Sequence, residues 1–383
     1  MKIVYCTDTV CYPGGIQMVT MVKANALAKI PGNQVWIVVT DHKKEPLIPL
    51  ENVELVNLDV NYYEDDWKGY WYVLKGIFQK RKIHKRRLLR FLNEIDPDIV
   101  VSTGTSEKNF LPYLSVSSHP VFIREIHFEK NYRVRHATSL MQKLTAKCSN
   151  WYDYRLRIKK YDRIVVLTEG DKSGEWADWE KVVVLPNPIV QECVERAKCE
   201  TSVAITAGRL TPIKNFSSLI RVWKLVVAKH PDWVLQIWGD GGLRCDLGNQ
   251  IKALGVENSV FLKGYSNHII DEYQQASMLL VSSLSEGFGL AMVEAMSVGL
   301  PVVSYDCPGS PRYIIENKKT GFLIPMHDEA MFAEKICTLI EDEEMRKCMG
   351  HQAWLASQDY QLDKIITRWM RLFEGLRAEK KSC

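Results

Sequence analysis

The chain has 383 residues, 46% of them hydrophobic and 25% charged, with a net charge of +4, which excludes a disordered, collagen-like or disulfide-stapled protein and favours two globular domains. No stretch reaches the roughly 20 apolar residues of a membrane span, residues 1–8 are too short and polar for a secretory core, and the ten cysteines, without C-x-x-C spacing, are expected as buried, reduced thiols. The charge is uneven: residues 67–160 hold 20 Lys/Arg against 7 Asp/Glu, whereas residues 191–383 hold 22 against 24, so one half is built to meet something anionic.

The chain opens with an apolar run at 3–6, a turn holding Pro13, Gly14 and Gly15, and a helical pattern over 16–28. Val/Ile-rich runs follow at 35–40, 98–103, 120–126, 163–169 and 182–188, separated by helical or polar segments, as in a parallel sheet buried on both faces. The pattern restarts at residue 202, with apolar runs about every 20–30 residues and helices between them. Beyond Pro325 only helical patterns remain. The expectation is an α/β protein of two Rossmann-like, doubly wound domains facing a cleft. The first covers 1–190 and takes back a final crossover helix at 360–383; the second covers 191–359, entered through a polar linker at 191–201.

Two loops of the second half suggest an anion site. Gly208 and Arg209 follow a strand, and Lys214 is expected at the start of the next helix. A guanidinium fork, a mobile ammonium and a helix N-terminus together suit a diphosphate; two solvated charges near a helix start is the other reading. Downstream, Ser285-Glu286-Gly287-Phe288-Gly289-Leu290 leads into a helix carrying Glu294. Its glycines allow close backbone approach, and its carboxylates can accept hydrogen bonds from paired hydroxyls. Read singly, Glu286 is an acid at a helix start and Glu294 an exposed helical acid.

Together these residues resemble the retaining glycosyltransferases of family four, which have the GT-B fold. The shared pieces are VFLKGYS at 260–266, Glu286 and Glu294 with seven residues between them, GLPVVSYD at 299–306, TGFLIP at 320–325, the Gly208-Arg209 and Lys214 element, and Trp238-Gly239-Asp240-Gly241. The resemblance is strong over 160–325. It implies that Arg209 and Lys214 bind the donor diphosphate, that Glu286, with the amides of Phe288 and Gly289 nearby, holds the donor sugar, and that Gly287 and Leu290 also belong to the donor site. Glu294 would accept the ribose hydroxyls and Tyr265 would frame the base. Gly14 and Gly15 match a glycine-rich loop beside the phosphates, and His127 a histidine that reaches the reaction centre. The segment Asp306-Cys307-Pro308-Gly309-Ser310-Pro311 resembles a variant of bacterial surface-glycan transferases, with Ser310 where that variant has glycine and Tyr313 where it has glutamate.

The implied function is transfer of a hexose or N-acetylhexosamine from a nucleotide-diphosphate sugar, UDP-linked, to a lipid-linked glycan acceptor. No metal is expected, since no acidic cluster has ligand spacing and cations would serve the leaving group. In the first half, Tyr62, Tyr63, Trp67, Tyr70, Trp71, Tyr72 and Phe78 precede a basic run around 75–90. Such a helix suits an anionic membrane surface on the cytoplasmic side, or else packs on the core with a solvated basic face. No nucleic-acid motif accompanies the charge. A nucleotide-sugar epimerase or hydrolase of the same fold, and a non-catalytic membrane-surface scaffold, are the alternative readings.

Overall fold

Successive residues of the first strand are buried in two different cores: Ile3 and Tyr5 on one face of a sheet, Val4 and Cys6 on the other. Apolar groups at every position of a strand need cover on both faces, and the chain supplies it with helices. The computed structural model describes residues 1–12, 14–41, 44–62, 70–127, 134, 137, 139–177, 179–191 and 195–382. These divide into two units, one of Met1–Pro188 with Leu362–Cys383, the other Ile189–Gln361.

In the first unit, β1 (Lys2–Thr7), β2 (Gln34–Val39), β3 (Val53–Asn57), β4 (Ile99–Ser102), β5 (Val121–Glu125), β6 (Arg163–Val166) and β7 (Val182–Val184) form a parallel sheet in the order β3-β2-β1-β4-β5-β6-β7. Helix α1 (Gly15–Ala28) covers one face. Helix α2 (Tyr70–Ile95) covers the other through Leu88 and Leu92, both fully buried. These two apolar positions of the basic helix are therefore core residues, while Lys82, Lys85, Arg86 and Arg90 face solvent. Lys80 donates to the Asn61 carbonyl (2.5 Å) and Arg87 to those of Leu58 and Asp59 (2.6 Å each), tying α2 to the end of β3. The side chains of 70–75 and 77 lie outside the described residues, as do Pro13, Tyr63, Trp67, Lys130, Arg133 and Arg135. A further exposed helix, α3, spans Leu140–Tyr152.

The second unit repeats the plan. Strands β8 (Val203–Ala207), β9 (Val234–Trp238), β10 (Val260–Gly264), β11 (Met278–Val281), β12 (Val302–Tyr305) and β13 (Gly321–Ile324) lie parallel in the order β10-β9-β8-β11-β12-β13. The connecting helices are α4 (Phe216–Val227), α5 (Arg244–Leu254), α6 (Ile269–Gln274) and α7 (Leu290–Ser297), followed by α8 (Glu329–Glu341) and α9 (Glu343–Ser357). Strand order reverses at β1/β4 in one sheet and at β8/β11 in the other, and loops leaving such a switch point diverge and leave room for a ligand.

The last helix, α10 (Leu362–Ser382), packs in the first unit. Ile365, Ile366, Trp369, Phe373 and Leu376 recur on one helical face and join the core over α1. Arg377 pairs with Asp98 (2.9 Å) at its end. Five of the eight described cysteines are buried, but Cys148, Cys245 and Cys348 are exposed, which corrects the expectation of uniformly buried thiols: each sits on a helix position facing water.

Candidate functional site

The loops leaving β8 and β11 flank the switch point of the second sheet, and Gly208, Arg209, Lys214, Glu286, Gly287, Phe288, Gly289 and Leu290 all lie on them or where they enter the next helix. The structure joins the two loops directly: Lys214 Nζ donates to Glu286 Oε1 at 2.6 Å. The Ser283 hydroxyl donates to the same oxygen, also at 2.6 Å, so a buried carboxylate is held by one cation and one hydroxyl. Sequence reading placed Lys214 at an α-helix start. Instead Pro212–Lys214 form a single 3₁₀ turn and Asn215 is left-handed (φ 52°), so α4 begins only at Phe216 and Lys214 is presented by the loop. Arg209 is exposed, and among the described residues its side chain has no hydrogen-bond or ion-pair partner.

Backbone packing fixes these loops, which is why glycine is needed at two points. A Cβ on Gly239 (φ 128°) would lie 2.0 Å from the Gly208 carbonyl oxygen, and one on Gly309 (φ 107°) would lie 1.7 Å from that of Glu286. The Gly208 amide donates to Trp238 (2.9 Å) and the Gly239 amide to Gly264 (2.6 Å), so the ends of β8, β9 and β10 form one ledge. The exposed Tyr265 follows Gly264 on that ledge. Around Glu286, its amide donates to Pro308 (3.1 Å) and the Ser310 amide donates to its carbonyl (3.2 Å). Among the described residues the buried Ser310 hydroxyl has no hydrogen-bond partner. Gly289 caps α7 in the left-handed conformation, leaving the amides that follow it at the helix N-terminus. Phe288 is buried edge-on against Tyr360, with ring centroids 5.7 Å apart. Glu294, half-buried in α7, has its carboxyl pushed up to about 7 by burial. That environment raises the buried Tyr273 hydroxyl too, mainly by burial and then by the Glu294 charge.

Gly14, Gly15 and His127 belong to the first unit. Gly14 is the extended N-cap of α1 and Gly15 its first residue. His127 follows β5, buried, with its Nε2 3.4 Å from Glu125 Oε1. Burial lowers its pKa to about 4, so the imidazole is neutral at pH 7. Glu125 pairs in turn with Lys23 of α1, which lies over the Trp369 ring (4.5 Å to the centroid). Burial alone would raise the Glu125 carboxyl, but Lys23, aided by His127, holds it below its usual range. Thus α1, β5 and α10 meet at one buried charged cluster. Neither Lys23 nor Glu125 was legible in advance, nor was Ser283: each is a common residue whose partner is remote in sequence. Only Gly309 carried a signal, as a glycine in a Pro-Gly-Ser turn. Among the described residues, no group of three or more His, Cys, Asp or Glu is placed to hold a metal ion.

Residues 194–354 match the family Glycosyl transferases group 1. An uncharacterised glycosyltransferase of Haemophilus influenzae is 32% identical over 219 residues, 56% of this chain and 62% of the relative. The poly(ribitol-phosphate) alpha-N-acetylglucosaminyltransferase of Staphylococcus aureus is 29% identical over 220 residues, 56% of this chain and 44% of that protein. The chain thus spans less than two thirds of the length of these relatives. Among solved structures, S. aureus TarM in complex with fondaparinux, alpha-GlcNAc-glycerol and UDP superposes with a TM-score of 0.75 at 16% identity, covering 97% of this chain and 99% of that one. That likeness shows the GT-B fold over 97% of the chain.

Proposed function

From a chain whose residues 194–354 belong to the group 1 glycosyl transferases and whose two parallel-sheet units have the GT-B fold, we propose that the protein is a retaining glycosyltransferase. It moves a hexose or N-acetylhexosamine from a UDP-linked donor to a glycan acceptor, lipid-linked, in the assembly of a bacterial surface polysaccharide. The second unit binds the donor and the first presents the acceptor. The observation that carries this reading is the Lys214–Glu286 pair at the switch point, with Arg209, exposed and unpartnered among the described residues, on the same loop as Lys214. The S. aureus relative's name and the UDP of the TarM complex support the donor class.

Breaking the bond between the sugar's anomeric carbon and the diphosphate sends an electron pair to the phosphate oxygen and leaves positive charge on the sugar. Arg209 and Lys214 neutralise the first charge, and the amides at the start of α7 add to their effect. The acceptor hydroxyl forms the new bond on the face the diphosphate leaves, and its proton goes to the departing phosphate oxygen. In the free protein Lys214 is occupied by Glu286. Donor hydroxyls hydrogen-bonding to Glu286 release the ammonium toward the diphosphate, so sugar and phosphate recognition reinforce each other. Glu286 therefore positions the sugar rather than attacking it. In this reading Tyr265 serves the base and Glu294 the ribose, and the family resemblance assigns Gly14 and Gly15 to the phosphates and the neutral His127 to the reaction centre. The basic face of α2 would bring the enzyme to an anionic inner membrane surface.

A thermal-shift screen against UDP, GDP, ADP and CMP tests the reading. At 100 times its dissociation constant a nucleotide stabilises its site by about 2.7 kcal/mol, and only UDP should do so here. Lys214→Ala should fold normally and lose roughly a hundredfold or more in turnover, about 3 kcal/mol. Silence toward all four nucleotides, or turnover unchanged in Lys214→Ala, removes the assignment.

A further inference from the structure

Helix α3 leaves its apolar stripe uncovered. A surface helix ordinarily turns its apolar stripe to the protein and its polar side to water. Along α3, Leu140, Met141, Leu144, Cys148 and Trp151 recur at helical spacing and share one stripe. Yet Leu140 is 76% exposed, Met141 70%, Leu144 52% and Trp151 60%. Gln142, Thr145 and Ser149, themselves exposed, line with Arg81 of α2 an open cavity of about 720 Å³. Asn150 is the one buried residue of α3.

The border of the stripe is cationic. Lys143 and Lys147 flank it at one-turn spacing and Arg155, Lys159 and Lys160 follow, all exposed. Over residues 139–160 there are six Lys/Arg and one acid. That acid, Asp153, is already engaged by Arg157 (2.8 Å) and Lys108 (3.3 Å). Arg81 on the same cavity sets α2 beside α3, and α2 also carries the exposed Phe78, Lys82 and Lys85. Two copies of this chain meeting face to face here would press like charges together. An anionic lipid surface instead takes the apolar stripe below its headgroups and the ammonium groups at headgroup level, with Trp151 at the boundary.

We propose that α3 is an interfacial helix that seats the first unit on an anionic membrane, with Leu140, Met141, Leu144 and Trp151 inserted and Lys143, Lys147 and Arg155 on the headgroup phosphates. This surface deepens the membrane contact proposed above for the first unit and rests on that part of the reading, while needing neither donor nor acceptor. Flotation of the full chain with vesicles of phosphatidylglycerol in phosphatidylcholine tests it. Wild type should float with these vesicles and stay behind with phosphatidylcholine alone. The variant Leu140→Ser, Leu144→Ser, Trp151→Ser changes only exposed side chains; circular dichroism should report a native fold, and vesicle affinity should fall about tenfold or more. Lys143→Gln with Lys147→Gln should weaken binding at low salt and flatten its salt dependence. Flotation of the triple-serine variant equal to wild type overturns the proposal. So does a wild type that ignores anionic vesicles, including one that sediments as a dimer which the serines dissolve. The thermal response to UDP, measured on the same variants, reports separately on the donor site.

Discussion

Glu294 shows how burial decides what a carboxylate can do. It sits half-buried on α7 without a hydrogen bond to its carboxylate from any described residue, and burial lifts its carboxyl to about 7. A carboxyl group accepts the two ribose hydroxyls through both of its oxygens, and most strongly, when it is ionised. Because the free site holds a proton below pH 7, proton and nucleotide compete there. The dissociation constant for UDP should therefore rise as pH falls through about 7, and level off above it. Calorimetric titration on both sides of that pH checks the curve. Glu294→Gln should bind more weakly but without this dependence, and a wild type whose affinity ignores pH over the range would take Glu294 out of the ribose site. The sign is opposite for folding: an acid raised in the folded state favours folding most below its ordinary pKa, and loses that contribution as pH climbs toward 7.

At the level of elements, close backbone contact is what holds Glu286 beside the switch point. Gly309 combines a positive φ of 107° with a Cβ position 1.7 Å from the Glu286 carbonyl oxygen. Gly309→Ala must push the β11–α7 loop aside; we expect a loss of about 2–4 kcal/mol and no response to UDP in thermal shift. Gly255, the left-handed cap of α5 (φ 67°), has nothing within 4 Å of its Cβ position. Gly255→Ala should thus cost only about 1 kcal/mol and leave the UDP response intact. Equal effects of the two would show that strain alone, not the crowded loop, sets the outcome. The same contrast explains what could be read before the structure. Strands buried on both faces, such as VWIVVT and MLLVSS, announce themselves by continuous apolar runs. Strand β3, at the sheet edge with Glu54 and Asn57 exposed, has no such run and escaped. Lys214 and Glu286 were legible as motif members, but their 2.6 Å contact was not, because it joins residues 72 apart. Lys23, Glu125 and Ser283 stayed silent for the same reason: a buried charge is recognised by its partner, and the partner is set by tertiary packing.

On the scale of the whole molecule, two units with separate cores should respond separately to a ligand and to a core defect. The first unit depends on a helix drawn from the far end of the chain: Trp369 and Phe373 are fully buried in the α1 core, and Trp369 also covers the Lys23–Glu125 pair. Trp369→Ala removes that packing and opens the pair to water, which should cost the first unit about 3–5 kcal/mol. The donor-site residues between Gly208 and Glu294 belong to the second unit, which has its own core. Amide hydrogen exchange resolves the two responses. In the variant, β1, β4 and β5 should exchange faster while β8, β11 and β12 keep wild-type protection. UDP should slow exchange in the loops after β8 and β11, in wild type and variant alike. If Trp369→Ala instead loosens both sheets equally, the two units unfold as one, and the α10 core supports donor binding from a distance through the stability of the whole chain.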